Sequence, residues 1–476
     1  TKDFTIRTKE FAISNFGSLW LLMVVGISII AFFLGFSPLG SLRIGGQNAK
    51  PSLKFFDWCS VLICTLLAGG GVFWSAAEPL IHYKDPTSYF PSINGATEQA
   101  VNPALAISFL HWGFLAWALV ATTVTITFSL LRLNGFPLRP RSLLIPIFPK
   151  KLIDGLLGDF ADGISVVAAI AGTVGPLGFL SLQLSNAAGK LPFITDNFLL
   201  QTFIVLLLTL IFTISTLSGI QKGIKFLSEI NIWLTILLGC LLLIIGPTFW
   251  LLKQFLGSNL IYLSKLKDIA LPSFDNSFDR SFTIFYWAWF LGYAPLMGLF
   301  TAGVSKGRTF RELIFAVCII CPFVTNLWFS ILGGNGIFLE LNQPGLISNA
   351  EGGEAGKLFS ILSQLPISFI LIPIAILLII LFMCTSADSI SYAAAIVVSG
   401  KETPPKKIRL FWALMIGFLT IALLRIGSGV GDDSSISALQ NFIVITAVPV
   451  TPLIISTMWT APKLALKEFA RMKKYP

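Results

Sequence analysis

Aromatic side chains gather on two short segments of this 476-residue chain. One reads Phe-Tyr-Trp-Ala-Trp-Phe-Leu-Gly-Tyr over residues 285–293, and the other carries Trp112 and Trp117. The face of an aromatic ring attracts a cation, and a quaternary ammonium group gains about 2 kcal/mol or more from each ring once water is excluded. The two segments therefore predict an aromatic cage for a methylated ammonium ion, whereas the outlying Trp20 and Trp459 suit membrane interfaces or packing.

Small residues and a proline interrupt two apolar stretches near these rings. Ala68-Gly69-Gly70-Gly71 stands in the first stretch and Gly292-Tyr293-Ala294-Pro295 in the second. In a bilayer, an interrupted helix is tolerated only where its freed backbone groups line a polar cavity. Matching breaks are typical of transporters with a binding site at the membrane midplane. We expect the amides of residues 69–71 to hold a substrate carboxylate. The alternative is that these small residues only allow close helix packing.

A pair of hydroxyls, Thr385 and Ser386, follows the apolar stretch 357–384 and precedes Asp388. Hydroxyl and carbonyl oxygens are hard ligands, which suit a hard cation. The alternative is that both hydroxyls bond back to their own helix. Glu78 and Asp388 are predicted near the ends of their segments rather than at mid-bilayer, so the pattern gives little support to a carboxylate proton relay.

The composition indicates which elements must position these groups. Hydrophobic residues make up 55% of the chain and charged residues 12%, with a mean hydropathy of +0.83, whereas soluble proteins are about 25% charged. A membrane-spanning helix needs about 20 apolar residues. The chain has eleven such stretches and is therefore predicted to be an all-α polytopic membrane protein; the stretches are 15–37, 57–80, 101–130, 160–188, 198–219, 223–251, 279–303, 311–335, 357–384, 407–426 and 436–460.

Several functions are excluded by what the chain lacks. His82 and His111 are its only histidines and no paired mid-span carboxylates accompany them, so we do not expect an enzyme. Cys318 and Cys321 form a CxxC without a companion pair, which argues against zinc. The basic residues lie in short clusters between apolar runs, a distribution that suits membrane orientation rather than nucleic-acid binding.

The stretches after the first divide into two groups of five. About two thirds of the 33 basic residues fall on one set of loops and the tail, so that side and the C-terminus are predicted to be cytoplasmic. The N-terminus is then outside, and we expect a further helix upstream of Thr1. The predicted divisions are an N-terminal segment with a prefix helix (1–56), a first repeat (57–251), an extracellular loop (252–278), a second repeat (279–460) and a basic tail (461–476).

The residues around the second aromatic segment resemble the most diagnostic motif of the betaine/carnitine/choline transporter family. This motif covers residues 285–298 and continues as Val-Ser-Lys-Gly-Arg-Thr-Phe-Arg-Glu over 304–312. Supporting matches follow in family order: His111-Trp112-Gly113 with Trp117, then 218–231, 328–334 and 385–389. The resemblance implies a leucine-transporter-like five-plus-five inverted repeat preceded by an extra helix, in a homotrimer in the bacterial inner membrane surrounded by lipid.

The resemblance also implies a reshaped substrate cage. Trp112 and Trp117 match family cage positions, Phe290 stands where the central cage tryptophan is found, and Tyr293 and Val120 replace a tryptophan and a tyrosine. The expected substrate is a trimethylammonium zwitterion, with a sulfonium or smaller zwitterion as the alternative. The predicted substrate-binding residues are Trp112, Trp117, Trp287, Trp289, Phe290, Tyr293, Ala68, Gly69, Gly70 and Gly71.

For the driving ion, the resemblance implies a principal sodium site. Phe382, Thr385 and Ser386 match this site, which backbone carbonyls near Cys64 and Leu67 would complete. At the family's second sodium site the chain has Ala169, Thr173 and Leu296, so only Thr173 is kept and the second site is predicted to be degraded.

The expectation is therefore a sodium-coupled importer of a compatible solute such as glycine betaine, with no organic cofactor. The alternative is a sodium-independent or proton-coupled carrier or exchanger of choline, carnitine, dimethylsulfoniopropionate, taurine or an amino acid.

Overall fold

The computed structural model describes residues 2–86, 89–218, 220–271, 277–401, 403–428 and 434–474, with the side chains of 2–4, 68, 218, 220–225 and 277 outside the description. The described chain is helical almost throughout, because a chain inside a bilayer must satisfy its backbone hydrogen bonds within each segment. Its helices are α1 (Lys2–Phe36), α2 (Phe55–Leu66), α3 (Ala68–Lys84), α4 (Val101–Trp112), α5 (Phe114–Ala121), α6 (Thr123–Leu133), α7 (Lys150–Ile153), α8 (Leu156–Gly189), α9 (Phe198–Ser218), α10 (Ile220–Ile245), α11 (Thr248–Ser264), α12 (Leu266–Ala270), α13 (Ser277–Val304), α14 (Phe310–Phe315), α15 (Cys321–Asn342), α16 (Gly353–Ser363), α17 (Ser368–Ser399), α18 (Lys406–Gly427), α19 (Ser434–Ala447) and α20 (Thr451–Lys474).

Within the described ranges, ten helices are long and apolar enough to cross a membrane, and the pair α2–α3, bent by 66°, makes an eleventh span. The predicted all-α polytopic architecture is confirmed. The segment that the sequence assigned to an extracellular loop, 252–278, contains most of α11 and all of α12.

The two groups of five spans have equivalent packing: several contacts between two spans recur when each span is replaced by its counterpart in the other group. The α8 helix packs on α19 as α17 packs on α10, and α2 packs on α10 as α13 packs on α19. The fourth spans of the two groups, α9 and α18, pack on each other. A five-plus-five repeat requires this symmetry of packing. Because each repeat has an odd number of spans, the two copies have opposite orientations in the membrane.

The predicted break in the second aromatic segment is wrong, because α13 runs unbroken from Ser277 to Val304. Its glycines serve close packing instead: a Cβ on Gly298 would lie 2.3 Å from the Val124 side chain, and one on Gly292 would meet Ala168 at 3.4 Å. Pro295 removes a single backbone donor, which the helix tolerates. Only the first of the two predicted breaks is therefore present, at the bend between α2 and α3.

The predicted span 357–384 is displaced along the chain. Residues up to Ser363 form the separate helix α16, and the next span is α17. The boundary lies at Pro366, because proline disfavours helical conformation in the residue before it, and Ile367 after it has a left-handed φ of 55°.

Because of this shift, Thr385, Ser386 and Asp388 lie in the middle of α17 rather than at the end of a span. The Asp388 carboxylate accepts hydrogen bonds from the hydroxyls of Ser215 and Thr216 on α9. The prediction that Asp388 lies near a helix end is therefore wrong, and its carboxylate ties two spans together inside the protein.

The prefix helix α1 is joined to α13 at one end of the bundle. The turn after α1 pairs antiparallel with the turn after α13: Ile44 donates to the Arg308 carbonyl at 2.9 Å, Gly307 to the Ile44 carbonyl at 2.8 Å, and Phe310 to the Leu42 carbonyl at 2.8 Å. The Arg43 guanidinium adds a bond to the Gly307 carbonyl at 2.7 Å. The backbones that follow the two helices are thus fixed to each other.

Candidate functional site

A small cavity lies where the α2–α3 bend, helices α4 and α5, and helix α13 meet. Its volume is about 10 Å³, and its walls are Leu66, Leu67, Trp112, Ala116, Trp117, Val120 and Phe290. This is room for about one water molecule. The rings of Trp112 and Phe290 contact each other across it, with centroids 5.5 Å apart and planes at 83°. A methylated ammonium group would therefore have to separate these rings on entering.

A helix break at Gly113 brings two of the tryptophans to this cavity. Trp112 ends α4 and Phe114 begins α5, with Gly113 in an extended conformation between them. A Cβ at Gly113 would lie 2.3 Å from the Phe109 carbonyl oxygen, so only glycine fits this turn. On an unbroken helix, residues 112 and 117 would point about 140° apart. The break lets both rings line one cavity.

The third tryptophan of the predicted cage, Trp289, lies behind Phe290 rather than on the cavity. Its ring is nearly parallel to that of Phe290, with centroids 5.7 Å apart, and perpendicular to Trp112 at 5.8 Å. Its indole nitrogen donates to the Gly172 carbonyl at 3.0 Å. Trp289 thus anchors the cage wall of α13 to α8.

Tyr293, Trp287 and residues 69–71 are not among the described residues that line the cavity. Tyr293 packs over Gly172, where an added Cβ would lie 2.7 Å from its ring, and Trp287 packs against His111 with centroids 5.9 Å apart. Residues 69–71 form the start of α3, and the Gly71 amide donates to the Leu67 carbonyl at 3.3 Å. The Gly71 amide is thus already bonded within the chain, and the role of the amides of residues 69 and 70 stays a prediction. The side chain of Ala68 lies outside the described residues.

Backbone and hydroxyl oxygens converge between the α2–α3 bend and α17. The Thr385 and Ser386 hydroxyls lie 3.3 Å and 3.4 Å from the Cys64 carbonyl oxygen. Thr385 Oγ1 also lies within hydrogen-bond distance of two carbonyl oxygens of its own helix, 3.0 Å from Phe382 and 3.1 Å from Leu381. Hydroxyl and carbonyl oxygens are the donors that a small hard cation prefers. The Leu67 carbonyl instead accepts the amide of Gly71.

The position of the second predicted sodium site has an ordinary helical hydroxyl. Thr173 donates to the Ala169 carbonyl in its own helix at 3.1 Å, the usual bond of a threonine inside a helix. Leu296, which contributes no oxygen from its side chain, is fully buried on α13.

A buried polar network beside the cage was missed from the sequence. The Glu78 carboxylate accepts hydrogen bonds from the Trp112 indole at 2.8 Å and the Tyr286 hydroxyl at 2.7 Å, and it lies 2.6 Å from His111 Nδ1. Glu78 lies well inside α3, which continues to Lys84, so its predicted place at a segment end is wrong. The available signal was His82, one helical turn after Glu78 on the same face.

The contact between Gly70 and Trp289 gives a first prediction. Glycine to alanine inside a helix normally stabilises it by about 1 kcal/mol. A Cβ at Gly70 would lie 2.1 Å from the Trp289 ring and push this ring toward the cage. We expect Gly70→Ala to reduce transport several-fold, measured as initial uptake rate per molecule in the membrane. Gly163→Ala on α8 is the matched control, because its added Cβ meets no atom within 4 Å; equal rates in both variants would contradict the assignment.

The chain is similar to several known proteins. The sequence model of the betaine/carnitine/choline family of transporters matches residues 1–470. "Glycine betaine transporter 2" of Vibrio parahaemolyticus is 41% identical over 458 residues, covering 96% of this chain and 84% of the relative. The "Ectoine/hydroxyectoine transporter" of Virgibacillus pantothenticus is 29% identical, covering 96% and 90%. A solved Na+-coupled sialic acid symporter aligns with a TM-score of 0.47 at 12% identity, covering 95% and 86%.

Proposed function

The chain belongs to the betaine/carnitine/choline family of transporters, and from this premise we propose that it is a sodium-driven importer of glycine betaine or a similar methylated zwitterion. Membership makes it a multi-pass membrane transporter. The relative that is 41% identical is named for glycine betaine. The cavity is lined by Trp112, Trp117 and Phe290, aromatic residues of the kind that bind a trimethylammonium group.

One observation carries the proposal: the α2–α3 bend belongs to both candidate binding sites. Leu66 and Leu67 at the bend line the cavity. The Cys64 carbonyl, less than one helical turn away, meets the hydroxyls of Thr385 and Ser386. A cation held by these oxygens would fix the bend against α17 and thereby fix one wall of the cage. Sodium and substrate would then stabilise the same conformation.

Such a shared element couples the two ligands without direct contact. If sodium increases the affinity for substrate by some factor, substrate increases the affinity for sodium by the same factor. In an outward-facing state, an inward sodium gradient would favour the cage that binds substrate. Release of both ligands on the other side would complete alternating access. Because Ala169 and Leu296 stand at the other two positions of the second site, we propose fewer coupled ions than in a chain that keeps both sites.

The reshaped cage keeps a second candidate substrate class open. Val120 and Phe290 line the cavity where the resemblance implies larger or more electron-rich rings, which weakens the cation–π attraction. A relative with 29% identity is named for ectoine and hydroxyectoine. Choline, carnitine, dimethylsulfoniopropionate, taurine or an amino acid therefore stand as alternative solutes, with sodium-independent exchange or proton coupling as the alternative mechanism.

The same family membership supports several further proposals. We infer a homotrimer in the bacterial inner membrane with a cytoplasmic C-terminus, where the basic end of α20 (Arg471, Lys473 and Lys474) would follow the positive-inside rule. Import of a compatible solute would serve osmoprotection.

The test is uptake of labelled glycine betaine into proteoliposomes that contain the purified protein. We expect accumulation with an inward sodium gradient and none when potassium replaces sodium, because the proposed coupling requires sodium at the oxygens between Cys64 and α17. Uptake of equal rate in both salts would contradict the ion site while leaving the cage. No uptake in either salt, with binding of a non-methylated solute, would contradict the proposed substrate.

A further inference from the structure

The carboxylate of Glu78 lies directly behind one wall of the aromatic cage. Glu78 is fully buried on α3. One of its oxygens accepts both the Trp112 indole N–H at 2.8 Å and the Tyr286 hydroxyl at 2.7 Å. Trp112 belongs to α4 and lines the cavity, while Tyr286 belongs to α13. One carboxylate oxygen therefore holds together three spans that surround the site.

The geometry fixes the orientation of the Trp112 ring. An indole has a single donor and no acceptor, so its bond to Glu78 determines which edge faces the network and which face remains for the cavity. The ring is also fully packed, 2% exposed and perpendicular to Phe290. Without the carboxylate, the buried indole N–H would have to turn toward another acceptor, and the ring face would turn with it.

The carboxylate also contributes charge. The described residues that line the cavity are all uncharged, so a charge one indole width away acts through protein of low polarity, where Coulomb energies far exceed those in water. A donor bonded to a carboxylate is polarised by it, and the indole ring that carries this donor becomes a better partner for a cation. Both effects favour a solute that bears a positive charge over one of the same shape without it.

Two histidines share this network with Glu78. His111 lies 2.6 Å from Glu78 through Nδ1 and 3.0 Å from the Thr283 hydroxyl through Nε2, and His82 Nε2 lies 3.6 Å from the same carboxylate oxygen. As long as His82 and His111 keep their protonation states, replacing Glu78 by glutamine makes the network one unit more positive, and the preference for a cationic solute should then fall.

We propose that Glu78 is the positioning and specificity-determining residue of the cage: it orients Trp112 and makes the cavity select solutes that carry a cationic group. This inference rests on the proposed function, since it assumes that the cage binds a methylammonium solute. It assigns the discrimination to a residue that does not touch the solute, acting through the ring that does.

The experiment measures selectivity rather than activity. Uptake of labelled glycine betaine is inhibited by unlabelled glycine betaine and, separately, by tert-butylacetate, in which an uncharged tert-butyl group replaces trimethylammonium on the same carboxylate. The ratio of the two inhibition constants does not depend on how much protein is folded. A merely structural defect would weaken both inhibitors and leave their ratio unchanged.

We expect Glu78→Gln to reduce the preference for glycine betaine over tert-butylacetate about tenfold, the order expected for one unit charge at this range. Tyr286→Phe removes one donor to Glu78 and keeps the charge, so we expect weaker binding of both inhibitors at a near wild-type ratio. Glu78→Asp likewise keeps the charge and should keep the ratio, which tests the inference independently if Glu78→Gln does not reach the membrane.

Two results would overturn the inference alone: an unchanged ratio in Glu78→Gln, or a ratio that falls as far in Glu78→Asp or Tyr286→Phe. Failure of the wild-type protein to take up glycine betaine would overturn the proposed function and this inference with it. Wild-type uptake with an unmoved ratio in Glu78→Gln separates the two cases.

Discussion

Replacing Trp112 by leucine should raise the KM for glycine betaine at least tenfold, with a smaller effect on the maximal rate. Trp112 lines the cavity beside Phe290 and Trp117, and a desolvated ring contributes about 2 kcal/mol or more to holding a quaternary ammonium group. Since 1.4 kcal/mol corresponds to about a factor of ten in affinity, one lost ring should exceed that factor. Leucine keeps the wall apolar but offers no π face.

The measurement is sodium-driven uptake over a range of glycine betaine concentrations. Trp250→Leu is the matched control, because Trp250 on α11 packs against Phe338 with ring centroids 5.2 Å apart and does not line the cavity. We expect a wild-type KM in that variant. An unchanged KM in Trp112→Leu would exclude Trp112 from the cage.

Replacing Ser386 by alanine should raise the sodium concentration for half-maximal uptake about tenfold or more. The Ser386 hydroxyl meets the Cys64 carbonyl at 3.4 Å beside Thr385. Hydrogen bonds to charged groups contribute about 1.5–3 kcal/mol, and the loss of one oxygen ligand from a cation should be of that order. Because sodium and substrate are coupled, the KM for glycine betaine should rise at low sodium and recover at saturating sodium.

Ser391→Ala provides the control on the same helix. Ser391 is fully buried on α17, and its hydroxyl has no hydrogen-bond partner among the described residues. Its removal should leave the sodium curve in place. If Ser386→Ala left that curve unchanged, or raised the KM for glycine betaine equally at all sodium concentrations, Ser386 would have no part in the ion site.

The sequence was sufficient for the elements and for the residue types of the site. Apolar length identified the spans, and aromatic clustering identified Trp112, Trp117 and Phe290, which the fold brings to one cavity. The step from ring types to a shared cavity depended on Gly113, whose turn requires the close approach of the Phe109 carbonyl. That approach is a tertiary arrangement with no local signature beyond one glycine.

Breaks in helices were harder to predict than the helices themselves. Apolarity continues without a gap across Pro366, so the end of α16 and the start of α17 were merged. The glycines and proline of α13, by contrast, suggested a break where none exists, because Gly298 is needed for the contact with Val124. Small residues have the same appearance in a sequence whether they free the backbone or admit a neighbouring helix.

Buried charge was the other feature that the sequence could not place. Glu78 and Asp388 were read as flanking residues because a charge in an apolar run costs free energy unless it is paired. Their partners come from distant segments: Tyr286 is on α13, and Ser215 and Thr216 are on α9. Pairing of this kind becomes visible only once the spans are assembled.

The backbone pairing between the turns after α1 and α13 has a mechanical consequence. Three backbone hydrogen bonds resist separation of these turns, so a tilt of α13 during turnover must carry the end of α1 with it. The outer face of α1 exposes Leu22, Ile29 and Phe33, which in a bilayer would meet lipid. Each turnover would then displace the surrounding acyl chains, and a stiffer or tenser bilayer should slow the protein without any change at its binding site.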